Sequence, residues 1–137
     1  MESQSKSQLA ILIVEDEHDA LATLSMMVKM KFPELKIYLA ENGKIGVEIF
    51  RKYLPEIVIT DVNMPVKNGI EMAAEIKEIK RDTKFIVLTA YNEKIFFQKF
   101  KAIGFSSYIL KPLEFKKLFV EINKCIAEIK QPEAQPV

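Results

Sequence analysis

The chain has 137 residues and a net charge of +1, with 49% hydrophobic and 28% charged residues, which predicts one globular domain with a single core. The near-zero charge gives no electrostatic support for nucleic acid or an anionic membrane as the main partner. No apolar run approaches the ~20 residues of a membrane span, and the polar start lacks a signal-peptide core. A single cysteine, Cys125, excludes an internal disulfide and a cysteine-rich metal site. Together these features predict a cytoplasmic location.

Strand and helix patterns alternate five times along the chain. Short apolar runs predict strands, and apolar residues three and four positions apart predict helices. The expected strands, in chain order, are residues 9–14, 35–40, 57–60, 85–89 and 107–110. A helix follows each strand, and Pro33, Pro55 and Gly104 mark helix ends. This alternation predicts a parallel α/β sheet covered on both faces, with the third strand at its centre, although spacing alone leaves the strand order open.

The pattern also suggests how the chain divides. Residues 1–8 are expected to form an N-terminal extension, and residues 9–130 carry all the strand and helix patterns. Residues 131–137 contain two prolines and no apolar periodicity, which predicts a tail or a linker stub.

The third strand runs directly into Asp61. Its residues are apolar and β-branched up to Thr60, as in a strand buried on both faces. Ligands bind at the carboxyl edge of an open parallel sheet, so Asp61 is a candidate nucleophile or metal ligand. The alternative is an aspartate that only caps the following turn.

Other strands end in chemically complementary side chains. These side chains are Glu15 and Asp16 after the first strand, Thr89 after the fourth and Lys111 after the fifth. In a parallel sheet they converge with Asp61 on one edge. Clustered carboxylates raise one another's pKa unless cations are present. Lys111 supplies one positive charge, and oxygen ligands without Cys or His favour Mg²⁺ or Mn²⁺ for the rest.

Such a cluster suits phosphoryl transfer. A bound Mg²⁺ keeps waters and binds phosphate, and Asp61 would then attack the phosphorus. Lys111 and the Thr89 hydroxyl would contact the phosphoryl oxygens, since this chemistry needs positioning and charge neutralisation. The alternative is a set of unrelated polar residues, but complementary chemistry at every one of these strand ends argues against chance.

These residues resemble the receiver domain of two-component response regulators. The resemblance is carried by the acidic pair at 15–16, the Thr-Asp-Val-Asn-Met-Pro segment at 60–65, Gly69, Thr89-Ala90, and residues 108–112, and it covers roughly residues 8–130. It implies a flavodoxin-like, doubly wound (β/α)5 fold with five parallel strands in the order 2-1-3-4-5. It also implies a cis peptide bond between Lys111 and Pro112.

The resemblance further implies a role for each site residue. Asp61 would be the phosphoacceptor and a metal ligand, Asp16 a direct Mg²⁺ ligand, Glu15 a ligand through water, Asn63 a ligand through its backbone carbonyl, Lys111 the phosphate-contacting cation, and Thr89 with Tyr108 the switch pair. Mn²⁺ can substitute for Mg²⁺ in this interpretation. The first acid is Glu where many members have Asp, a variation common enough to leave the assignment intact.

The implied function is a phosphorylation-driven signalling switch. A histidine kinase or phosphotransfer protein would supply the phosphoryl group, and the domain would catalyse only its own phosphorylation and dephosphorylation. No output domain follows Lys130 in this sequence, so the chain is expected to be a stand-alone receiver or one domain of a larger regulator or hybrid kinase. The output partner is open, and the expected state is a monomer or a phosphorylation-dependent dimer without direct binding to nucleic acid or membrane.

Two other classes compete with this interpretation. A phosphate-independent interaction module of the same fold usually lacks the acceptor Asp or the Lys, and both are present here. A phosphohydrolase of the haloacid dehalogenase type requires a second Asp two residues after the first. Position 63 is Asn, which cannot transfer a proton, and the chain has no room for a substrate cap.

A docking face is predicted on the helix after the fourth strand. Phe97 falls on the side of that helix that carries Lys94 and Lys101, at spacings of three and four. An apolar ring among lysines suggests an anchor for a partner, together with Tyr108; the alternative is an ordinary exposed residue. Asn63 and Tyr91, each two residues after a site residue, are expected to flank the path of attacking water.

Overall fold

Five parallel strands alternate with five α-helices in the computed structural model, which describes residues 8–90 and 94–131. The strands are β1 (Ala10–Val14), β2 (Lys36–Ala40), β3 (Ile57–Asp61), β4 (Lys84–Thr89) and β5 (Ser107–Leu110). The helices are α1 (His18–Lys31), α2 (Gly43–Tyr53), α3 (Gly69–Ile79), α4 (Lys94–Ile103) and α5 (Phe115–Lys130). Every predicted strand and helix is present, with ends shifted by one or two residues.

The strands form one sheet in the order β2-β1-β3-β4-β5, which confirms the expected doubly wound topology. β3 lies at the centre, paired with β1 on one side and β4 on the other. From β1 the chain continues to β2 on one side of the sheet, and from β3 it continues to β4 on the other side. Ligands bind at such a switch point, beyond the carboxyl ends of the strands. Asp61 is therefore the last strand residue at the point where the topology opens a crevice.

The helices cover both faces of the sheet. Side chains alternate along each strand, so Ile11 and Ile13 of β1 face the layer that contains α1 and α5. Leu12 and Val14 face the layer that contains α2, α3 and α4. On the α5 side, Cys125 is 1% exposed, and this burial raises the pKa of its thiol to about 11. No helix in the described part of the chain has the length and apolarity to cross a bilayer.

The start of α3 packs directly against the end of β3. A Cβ atom on Gly69 would lie 2.3 Å from the backbone oxygen of Asp61, so only glycine allows the helix to begin this close to the strand. Asn68 and Glu71 form a capping box at the same helix start. The loop of residues 62–68 is thus tied to the strand that carries Asp61.

The expected divisions at the chain ends stay predictions. Residues 1–7 and 132–137 lie outside the described residues, so the extension at 1–8 and the tail at 131–137 stay untested. The peptide bond between Lys111 and Pro112 is cis, as the resemblance implied.

Candidate functional site

Asp61 is held by two hydrogen bonds at the carboxyl edge of the sheet. Its Oδ1 accepts from the backbone N–H of Val62 at 2.7 Å, and its Oδ2 accepts from the Lys111 Nζ at 2.8 Å. The residue is only 8% exposed because it lies in the central strand. The carboxylate therefore has a fixed orientation and a charge-assisted contact with the one cation predicted from the sequence.

Three carboxylates converge at this point. Oxygen atoms of Glu15, Asp16 and Asp61 all lie within 4.8 Å of one another, as the strand-end argument predicted. Glu15 is buried and its Oε2 accepts from the Glu17 N–H at 3.0 Å, whereas Asp16 is exposed. Lys111 Nζ lies 3.9 Å from Glu15 Oε1, so within the described residues one ammonium group contacts this group of three acids.

Burial and the neighbouring charges both affect the protonation of Glu15. Burial raises the pKa of its carboxyl above the ordinary value of 4.5, the Glu17 N–H opposes this rise, and the nearby charge of Asp61 adds to it. A divalent cation would relieve this repulsion, and carboxylate oxygens are the ligands that Mg²⁺ prefers. The residues present therefore fit a hard divalent ion. Asn63, the expected carbonyl donor, is exposed two residues after Asp61.

Neutralising Glu15 should stabilise the metal-free protein. Because the folded pKa is raised, folded protein binds the Glu15 proton more tightly than unfolded protein does, so stability falls as pH rises from 4.5 through the folded pKa. Glu15→Gln removes that loss and keeps an oxygen for the Glu17 N–H. In EDTA we expect a higher Tm for the variant at pH 7.5 and equal Tm values below pH 4.

Thermal unfolding followed by circular dichroism at several pH values measures this difference. Glu48→Gln, on the exposed side of α2 with Lys44 as its ion-pair partner, is the matched control; it removes the same charge from an exposed site, where an ion pair contributes little, so its effect on Tm should stay small. A Glu15→Gln variant less stable than wild type at pH 7.5 would show that the charged form is favoured by the fold.

Thr89 and Tyr108 lie beside the cluster on the neighbouring strands. Thr89 ends β4, is 1% exposed, and its hydroxyl donates to the Ala90 carbonyl at 3.3 Å. Tyr108 pairs with Val87 in β5. Its hydroxyl oxygen is shielded from solvent.

The ring of Phe97 packs against two other aromatic side chains. Phe97 meets the Tyr108 ring edge-on at 4.9 Å between centroids and contacts Phe105 at 5.6 Å. The ring is therefore half-buried rather than isolated among the exposed Lys94 and Lys101. Helical spacing could not predict the contact between Phe97 and Phe105, because Phe105 lies after the end of α4 and reaches Phe97 only in the folded chain.

Two further observations complete the placement of the predicted residues. Ile95, which the sequence interpretation did not single out, is the large apolar side chain most exposed on described α4, at 65%. Its exposure could have been predicted from the sequence, because Ile95 directly precedes Phe96 and so falls outside the apolar stripe of the helix. Tyr91, expected to flank the path of water, lies outside the described residues.

The geometry alone defines a class of protein. It is a doubly wound α/β domain whose central strand ends in an aspartate paired with lysine, beside two more acids at the switch point. The chain belongs to the response regulator receiver domain family, whose model matches residues 11–123. It is thus a receiver domain of a response regulator in two-component signalling.

Relatives and solved structures agree with this membership. The transcriptional regulatory protein YdfI of Bacillus subtilis is 33% identical over 116 residues, which cover 85% of this chain and 54% of YdfI. A solved N-terminal domain of an uncharacterized Wolinella succinogenes protein is 32% identical with a TM-score of 0.84, covering 91% of this chain and 99% of that one.

A third comparison bears on the metal. The response regulator TrrA of Thermotoga maritima, solved in complex with Mg²⁺ and BeF, is 30% identical with a TM-score of 0.76, covering 86% of this chain and 99% of TrrA. The chain spans about half the length of the curated relatives it matches, at 54% of YdfI and 53% of the Brevibacillus brevis regulator DegU. Both relatives are named as transcriptional regulatory proteins.

Proposed function

We propose that this receiver domain is a phosphoryl-accepting switch, with Asp61 as the acceptor and a histidine kinase or phosphotransfer protein as the donor. The observation that carries the proposal is the buried Asp61 carboxylate, 2.8 Å from the Lys111 ammonium and grouped with Glu15 and Asp16. Nucleophile, cation and metal-ligating acids thus meet at one point on the sheet edge. The output partner and the cytoplasmic location remain predictions.

The transfer uses the contacts already present at Asp61. An Asp61 oxygen forms a new bond to phosphorus while the phosphorus–nitrogen bond of the donor phosphohistidine breaks, and its electron pair returns to the imidazole. The Val62 N–H holds Oδ1 in place. Lys111, which contacts the Asp61 carboxylate before transfer, would contact and neutralise the phosphoryl oxygens after it. The product is an acyl phosphate on the end of β3.

The neighbouring acids would hold the cation. We assign Asp16 and Asp61 as direct ligands, the Asn63 backbone carbonyl as a further ligand, and Glu15 as a ligand through water, with Mn²⁺ as a substitute for Mg²⁺. When bound, the ion neutralises charge on the transferring phosphoryl group. Exposed Asp16 and buried, already hydrogen-bonded Glu15 support this division of roles.

The signal would leave the site through Thr89 and Tyr108. A phosphoryl group on Asp61 offers the Thr89 hydroxyl an acceptor in place of the Ala90 carbonyl, and a hydrogen bond to a charged group contributes ~1.5–3 kcal/mol. A shift from 1:99 to 99:1 needs ~5.5 kcal/mol, so a second element must contribute. The Tyr108 ring, in edge contact with Phe97, links the site to a docking face formed by Lys94, Phe97, Lys101 and Tyr108.

Small-molecule phosphorylation tests the proposal directly. Incubation of the purified chain with acetyl phosphate and Mg²⁺ should add the mass of one phosphoryl group, and EDTA should prevent the addition because the acidic cluster then lacks its cation. Intact-protein mass spectrometry measures the adduct. Complete absence of an adduct with Mg²⁺, or rapid hydrolysis of p-nitrophenyl phosphate, would contradict the proposed function in favour of a binding module or a phosphohydrolase.

A further inference from the structure

A strained turn lies in the loop between β3 and α3. Val66 has a φ of 72°, and the Lys67 N–H donates to the Pro65 carbonyl at 2.8 Å, which forms a γ-turn with a positive central φ. This turn is rare and strained, and a β-branched residue at positive φ is a genuine outlier. The Val66 side chain is 74% exposed, so its own packing does not offset the strain of the backbone.

Such a conformation persists only where the surroundings enforce it, and here Lys67 supplies the enforcing contacts. The Lys67 carbonyl accepts from the Gly43 N–H at the start of α2, at 3.0 Å. A Cβ on Gly43 would lie 2.3 Å from that carbonyl oxygen, so the helix start presses directly on the loop. The Lys67 ammonium forms an ion pair with Glu75 of α3. Backbone and side chain therefore fix the residue after the turn to two different helices.

The other half of the loop is fixed by the core. Val62 is fully buried and Met64 is 8% exposed, and both belong to the core under α2, α3 and α4. The Gly69 N–H donates to the Val62 carbonyl at 2.8 Å and closes the loop. Asn63 lies between the two buried side chains, three residues before the strained turn, so its carbonyl depends on both ends of the loop.

We propose that Lys67 is a positioning residue for the cation site. By holding the strained turn at Val66 in place, it fixes the path of the loop and therefore the Asn63 carbonyl relative to Asp61. This inference rests on the proposed function, which assigns that carbonyl to the cation. Lys67 itself touches neither Asp61 nor the acids at 15 and 16 in any ion pair found for it.

Mg²⁺ binding to the unphosphorylated protein tests the proposal. We expect Lys67→Met to weaken Mg²⁺ binding about fivefold, within the range found for residues that couple to a site without touching its ligand. Lys67→Arg, which keeps the charge for Glu75, should bind nearly as wild type. Lys44→Met is the matched control, since it breaks an exposed ion pair with Glu48 on α2 and should leave Mg²⁺ binding unchanged. Isothermal titration calorimetry measures each affinity.

A double-mutant cycle separates positioning from a general loss of stability. Glycine adopts positive φ without strain, so Val66→Gly should remove most of the dependence on Lys67, and Lys67→Met should then cost less than twofold in that background. An equal loss in both backgrounds, or a fall in Tm with unchanged Mg²⁺ affinity, would overturn the inference. If Lys67→Met does not fold, Glu75→Gln takes its place in the cycle. Absence of Mg²⁺ binding by wild type would overturn the proposed function as well.

Discussion

Replacement of Asp61 by asparagine should abolish the phosphoryl adduct formed with acetyl phosphate and Mg²⁺. The amide keeps the size of the side chain and can still accept from the Val62 N–H, but it lacks the carboxylate that attacks phosphorus. It also loses the charge that the Lys111 ammonium contacts at 2.8 Å. We expect no detectable adduct by intact-protein mass spectrometry under conditions that phosphorylate wild type.

The matched control is Asp19→Asn, which removes an exposed acid from the first turn of α1. Asp19 lies near Glu15 on the lining of a cavity of about 380 Å³ between α1 and the loop after β5, but outside the group of three converging carboxylates. Its variant should be phosphorylated as wild type. An adduct of equal yield on Asp61→Asn would place the acceptor on another acid, and peptide mapping of that adduct would identify it.

Removal of one charge from each acid of the pair should affect Mg²⁺ unequally. Asp16→Asn is expected to weaken Mg²⁺ binding about tenfold or more, since outer partners of metal ligands already cost 10–100-fold. Glu15→Gln should cost less, by about threefold, because Glu15 is committed to the Glu17 N–H and lies near Lys111. Both changes remove one negative charge, so the difference between them reports direct contact with the ion.

Calorimetric titration with Mg²⁺ measures both affinities in the same buffer. Lys67→Met and Lys44→Met, both proposed above, serve as references for an indirect effect and for no effect. If Glu15→Gln proved the more damaging change, the direct and water-mediated roles would have to be exchanged between the two acids.

The fold was largely predictable because the sheet repeats one local signal. β1, β3 and β4 are apolar runs in the chain and are almost completely buried in the structure. Each run ends abruptly in a polar residue, so the strand ends and the edge they share could be predicted together. The strand order had no such local signal and followed only from the family resemblance, which the topology then confirmed.

The site was predictable for the same reason at Asp61, Glu15, Asp16 and Lys111. Parallel strands bring their carboxyl ends to one edge whatever the details of the loops. The structure places oxygen atoms of the three acids within 4.8 Å of one another, and the Lys111 ammonium 2.8 Å from Asp61. The roles of these residues as acceptor, ligands and cation are proposals that the experiments above address.

The residues that sequence reasoning misjudged or missed depend on contacts across the fold. Phe97 was assigned to the polar side of α4 by helical spacing, but β5 and the segment before it bring Tyr108 and Phe105 against its ring. Lys67 has no local signal for its partner, because α3 begins between it and Glu75. The positive φ at Val66 is also invisible in sequence, since valine ordinarily avoids that conformation.

The buried thiol of Cys125 makes the chain its own probe of opening. Alkylating reagents react with the thiolate, and a pKa of about 11 leaves little thiolate at neutral pH while α5 is in place. Because Cys125 is also only 1% exposed, we expect labelling to proceed mainly through states in which α5 separates from the sheet. The sequence has one cysteine and no tryptophan, so the rate of maleimide labelling would report such separation at a single known position, without a fluorophore or an engineered cysteine. Comparing that rate with and without Mg²⁺ would show whether a cation at the sheet edge changes how often α5 separates from the sheet.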